Sequence, residues 1–153
     1  MRTFQKIIVV LLVIFIVAQF FQPVKNKGEM SSVEPFLAET NPPNDVQFIL
    51  EQHCFDCHSN NTIYPWYGSI TPVNFWLDDH VEEGKEHFNV SVWEEYSLKK
   101  KDHKLEELIE MVESREMPLE SYTYAHWDAR LSEEEINSVV SWAKQVRNNL
   151  GPQ

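Results

Sequence analysis

The sequence predicts an all-α domain. Apolar residues recur at three- and four-residue spacing in several stretches, and no period-two alternation marks a strand. Small polar residues stand at capping positions just before those stretches. With 153 residues, 42% of them apolar and 12% aromatic, a folded core is expected. The part beyond residue 28 is one domain's worth of chain, too short for two cores of ordinary size.

The N-terminus predicts a membrane anchor over residues 1–21. Arg2 and Lys6 flank a run from Ile7 to Phe21 with no charge and a single polar residue, Gln19. No small-x-small cleavage site follows, which favours a retained segment. The run is short against the ~20 residues a bilayer prefers, unless it reaches back to Phe4 while Lys6 snorkels. Residues 22–43 carry prolines and polar residues without periodicity and predict a flexible tether. The folded domain is then expected over residues 44–150.

Within it, Asn44 caps a helix with Val46, Ile49 and Leu50 on one face, leading to Cys54. Residues 60–70 predict an aromatic loop around Tyr64-Pro65-Trp66-Tyr67. Thr71 caps the next helix, with Pro72 at its first position and Ile70 and Phe75 as a hydrophobic staple. Its apolar stripe is Val73, Trp76, Leu77, His80 and Val81. Ser91 and Glu94 form a capping box for a short helix. From Asp102 a stronger one runs with Leu105, Leu108, Ile109 and Val112 in register, stopped by Pro118. The last helix has a Ser132–Glu135 capping box, a Leu131–Ile136 staple and an Ile136, Val139, Val140, Ala143 stripe, closed by Gly151 and Pro152.

The chemistry is concentrated in Cys54-Phe55-Asp56-Cys57-His58. C-x-x-C-H is the attachment signature of a c-type haem. Two thiols add to the two porphyrin vinyl groups and the adjacent histidine becomes the proximal iron ligand. These are the only two cysteines in the chain. A redox disulfide is the first rival, but its usual βαβ setting is missing. Zinc is the second, but it needs four well-spaced ligands, and no second C-x-x-C or H-x-x-x-H exists. Haem c is attached outside the bacterial inner membrane, so a single-pass protein with a periplasmic domain is expected. Lys25 and Lys27 after the span leave the positive-inside signal weak.

The sixth iron position is expected to fall to Met117, followed by Pro118, in a loop before the last helix. A thioether is a soft ligand that favours ferrous haem. Met117 as a core gap-filler is the plain alternative. His126 is the main rival ligand. His80 lies on an apolar stripe, whereas His53, His87 and His103 read as surface residues. Tyr64, Trp66, Tyr67 and Trp76 are candidates for the wall of the haem pocket, or equally ordinary core aromatics.

Charge is lopsided, with a net −11 at pH 7. All 24 acids lie after Gly28 but only nine of the 13 bases do, leaving that part at −15. Such a field excludes nucleic acid as a partner and suits a redox protein with a basic docking patch, or serves solubility alone.

The order of elements and the Met-Pro pair resemble a small class I cytochrome c. Trp76-Leu77-x-x-His80-Val81 with Gly84-Lys85, and Glu116-Met117-Pro118-Leu119-x-Ser121-Tyr122-Thr123, more closely resemble the bacterial haem-binding domain family of Bacteroidetes type. The resemblance runs from the anchor to the last helix. It implies one covalent haem on Cys54 and Cys57 with His58 as ligand, and no defined activity. The expected function is therefore single-electron transfer by a membrane-anchored periplasmic cytochrome. The alternative is a haem-based small-ligand sensor with an open distal site. An enzyme such as a peroxidase is least favoured, since no distal acid–base pair is evident.

Overall fold

The computed structural model describes residues 2–151. It is all-helical, as expected. Eight α-helices are described: α1 (Thr3–Ala18), α2 (Glu34–Thr40), α3 (Asn44–His53), α4 (Phe55–His58), α5 (Val73–His87), α6 (Leu98–Glu113), α7 (Glu120–Ala125) and α8 (Glu133–Leu150). Short 3-10 turns at Met30–Val33, Trp66–Ser69, Val90–Glu95 and Trp127–Ala129 join some of them. The only β pairing among the described residues is an isolated bridge between Lys27 and Asn61.

The expected membrane anchor is overturned. No helix among the described residues is long and apolar enough to cross a membrane. Helix α1 has 16 residues, about 24 Å at 1.5 Å per residue, against a hydrocarbon core of about 30 Å. After Ala18 the Gln19, Phe20 and Phe21 N–H groups bond back three residues, and polar groups of this turn engage the segment before α5. The Gln19 side chain donates to the Thr71 carbonyl at 3.1 Å and accepts from the Thr71 N–H at 3.0 Å. The Phe21 carbonyl accepts from the Thr71 hydroxyl, and Gln22 Oε1 accepts from the Asn74 amide at 2.8 Å. The inner-membrane, single-pass placement with a periplasmic domain loses its basis with the anchor.

Residues 22–43 are likewise not a free tether. Asn26 donates its N–H to the Tyr64 hydroxyl (2.8 Å) and its side-chain amide to the Ser59 carbonyl and Thr62 Oγ1 (2.9 Å each). Gly28 lies flat on residue 60, where a Cβ would stand 2.6 Å from the Asn60 carbonyl oxygen, so only glycine fits. Helix α2 follows and carries Phe36, which is fully buried. Its ring sits at the centre of the core. Edge-to-face neighbours are Trp93 at 5.1 Å, Phe88 and Trp142 at 6.1 Å, and Phe55 at 6.2 Å. Such pairs add about 0.5–1.5 kcal/mol each beyond burial.

Helices α6 and α8 pack lengthwise through Leu105, Ile109 and Val112 on one and Ile136, Val139, Val140, Ala143 and Val146 on the other. Their polar edges pair as Arg115–Glu133, Lys144–Glu113 and Arg147–Asp102, an order that makes the two helices antiparallel. The Ser132–Glu135 capping box forms as expected, and α8 ends at Leu150 with Gly151 at φ 88°. The expected stop at Pro152 lies outside the described residues. Helix α3 meets α8 through Ile49 and Leu50, as its stripe implies.

Four boundaries differ from expectation. Asn44 is the first residue of α3 and Pro43 takes the cap position. Thr71 is not the cap of α5, since its hydroxyl holds the N-terminal strap, and Pro72 takes that position. Ser97 caps α6, which begins at Leu98, four residues before its expected start. Asn89 caps the turn at Val90–Glu95, because the Ser91 hydroxyl instead meets Ser32 and the Asn60 N–H. On α5 the buried positions are Asn74, Val81 and Gly84, while Trp76 stays 45% exposed. The helix is rolled so that its glycine faces the core.

Candidate haem site

Cys54 ends α3 and begins α4, and the single turn of α4 is closed by the Cys57 and His58 N–H groups donating to the Cys54 carbonyl at 3.2 and 3.0 Å. Positions i, i+3 and i+4 of one helical turn share a face. The turn thus presents Cys54, Cys57 and His58 together. Phe55 points the other way and is buried against Phe36, which fixes the turn to the core. Asp56 secures the following loop by accepting from the Ile63 N–H at 2.8 Å.

His58 is oriented from behind. Its Nδ1 lies 2.8 Å from the Phe88 carbonyl, which can only accept, so Nδ1 carries the proton and Nε2 keeps a free lone pair. Burial lowers its pKa, against the opposing pull of the Phe88 and Gly84 carbonyls. A metal-binding histidine held through its other nitrogen has this form. Helix α5 comes in at Gly84, where a Cβ would stand 2.7 Å from the Cys57 carbonyl oxygen and 3.0 Å from Cys57 Cβ.

Both cysteines are free thiols. Burial, and secondarily the neighbouring Cys57, pushes the Cys54 thiol up to about 12; burial and the Asp56 carboxylate push Cys57 up to about 11. Redox-active C-x-x-C pairs depend on a lowered thiol pKa, so this environment runs against that reading. Nor do three His, Cys, Asp or Glu side chains converge as a metal-ion site among the described residues, as zinc would require. The donor set, two thiols and one imidazole with a free lone pair, is compatible with haem. Helix α5 lies close against the motif at Gly84, and the Nδ1 bond to Phe88 leaves His58 Nε2 as the nitrogen available to iron.

Helix α7 carries Tyr122, which lies within electrostatic reach of the motif. Tyr122 is half-buried, its pKa raised first by burial and then by Asp56 and both thiols. Its ring stacks on His126 at 4.4 Å, and His126 Nε2 meets the Tyr67 hydroxyl at 3.0 Å. Met117 is half-buried in the turn that leads into α7, its N–H donating to the Met111 carbonyl.

The four expected wall aromatics are placed unequally. Tyr67 reaches the site through His126. Tyr64 uses its hydroxyl on Asn26 and lies under Lys25. Trp66 is 81% exposed and stands edge-on to Tyr67. Trp76 packs on His80, whose Nδ1 is bonded to the Trp76 carbonyl within α5. His103 is a surface residue beside Glu106 and Glu107, as expected.

Sequence reasoning missed Phe88 as the backbone partner of His58, and nothing in a side chain signals a carbonyl's role. Gly84 did leave a signal: a glycine inside a helix costs about 1 kcal/mol relative to alanine and marks a close approach. No curated protein and no solved structure shows significant similarity to the chain. The sequence pattern of the haem-binding domain family matches residues 13–145, and the chain belongs to that family.

Proposed function

We propose that the haem is a single covalent haem c and that the protein carries single electrons. The observation that supports this is the one-turn α4, which shows Cys54, Cys57 and His58 on one face with His58 Nδ1 bound to the Phe88 carbonyl. Cys54 and Cys57 would hold the haem by adding their S–H across its two vinyl groups, sulfur to one carbon and hydrogen to the other with no oxidant needed, and His58 Nε2 would bind its iron. When bound, the haem supplies one-electron exchange between ferric and ferrous states.

Met117 is the proposed sixth ligand. His126 is its rival, but that ring is stacked on Tyr122 and its Nε2 is engaged by Tyr67, so ligation by that nitrogen requires breaking the Tyr67 bond. Acidic surface dominates the folded part, so the redox partner would dock through a basic patch. Absorption spectra of haem-loaded protein in both redox states test this reading. A methionine–iron charge-transfer band in the ferric form is expected. A ferrous protein that takes up carbon monoxide at once would instead make it a small-ligand sensor.

A further inference from the structure

Helix α7 is poorly attached to the rest of the molecule. Its hydrogen bonds are local: Tyr122 and Thr123 N–H to the Leu119 carbonyl, Thr123 Oγ1 to the Glu120 carbonyl, Tyr124 hydroxyl to Glu120 Oε1, and His126 N–H to the Tyr122 carbonyl. Among the described residues, the Tyr67–His126 bond is the one hydrogen bond from Leu119–His126 to a distant part of the chain. It joins α7 to the 3-10 turn at Trp66–Ser69, 59 residues earlier. The imidazole in that bond is stacked nearly flat, at 17°, on Tyr122, a ring close enough to Asp56 and both thiols for their charge to raise its pKa.

We propose that Tyr67 and His126 form a clasp that holds α7, and with it the Met117 turn, against the cysteine–histidine site. They are positioning residues: Tyr67 grips His126, His126 carries Tyr122, and the ring pair sets where α7 and the turn before it sit. The effect on the iron rests on Met117 ligation as proposed above, whereas the clasp itself does not. The Met117 turn is tied at its start by the Met117 N–H to the Met111 carbonyl, so a loosened clasp releases its other end and opens the sixth position.

Amide hydrogen exchange and carbon monoxide uptake on the full-length haem-loaded protein separate the two. Tyr67→Phe should speed exchange over residues 117–126 about five- to tenfold, the value of one hydrogen bond, while α8 amides keep their protection. His126→Ala should do the same. His126→Gln, whose amide oxygen can accept from the Tyr67 hydroxyl, should recover most of the protection yet cannot supply an imidazole to iron. Tyr124→Phe, on the same helix but outside the clasp, should change neither readout. Exchange over 117–126 in Tyr67→Phe that stays within about twofold of wild type overturns the clasp, whatever the iron ligand. Faster exchange with carbon monoxide uptake raised alongside supports both readings. Faster exchange with unchanged uptake supports the clasp and removes Met117 from the iron.

Discussion

Gly84 rests on the backbone of Cys57, with room for a hydrogen and for nothing larger. A Cβ there would meet the Cys57 carbonyl oxygen at 2.7 Å, and a carbonyl held inside a helical turn cannot rotate aside. The same helix ends at Phe88, whose carbonyl orients His58. One contact therefore couples the position of α5 to both the thiols and the imidazole.

Gly84→Val should accordingly lower stability by about 1–3 kcal/mol through overpacking, despite removing a mid-helix glycine. The yield of haem-bearing protein should fall with it. Urea denaturation and haem content per polypeptide measure the two. Wild-type stability in this variant would show that α5 does not press on the motif.

Phe36→Ala should cost about 3–5 kcal/mol, because the ring is fully buried among four aromatic partners. A flexible tether over residues 22–43 would give no change, so the same denaturation curve decides whether α2 belongs to the domain. Trp142→Ala should cost a similar amount, since its indole N–H also donates to the Thr40 carbonyl at 3.1 Å and fastens α2 to α8.

The Asp102–Arg147 pair gives a pH-dependent expectation. Bonds at 2.7 and 3.1 Å from the guanidinium hold the Asp102 carboxyl below its ordinary value. A lowered folded-state pKa contributes stability that is complete above the unfolded carboxylate value and is lost as pH falls through the folded one. Asp102→Asn should therefore lose about 0.5–1 kcal/mol at pH 7 in low salt, and the gap to wild type should close in strong acid. A gap that persists undiminished at pH 2 would assign the loss to packing.

Met117→Ala should abolish the methionine–iron band, admit carbon monoxide to the ferrous form and lower the reduction potential, with haem attachment intact. An unchanged spectrum would exclude Met117 and direct attention to His126.

Much of this was readable in the sequence where pattern alone decides. The stripes of α6 and α8 and the Ser132–Glu135 box are local signals, and they formed as expected. The cysteine–histidine run is local in the same sense, since one helical turn brings its three side chains to one face. Helix α2 was hidden by Pro35, read as a loop residue although proline suits a first helical turn. The misjudged N-terminus has a different cause. Hydropathy registers the apolar run up to Phe21, but not that Gln19 and Gln22 bind Thr71 and Asn74, some 50 residues away. Caps failed for the same reason: the Thr71 and Ser91 hydroxyls serve partners distant in sequence.

Covalent attachment is tested most directly by acid–acetone extraction of denatured protein matured in a host with c-type assembly machinery. Haem should stay on the wild-type polypeptide and be lost from the Cys54→Ala, Cys57→Ala double variant. Complete release of haem from the wild type would contradict the thioether attachment.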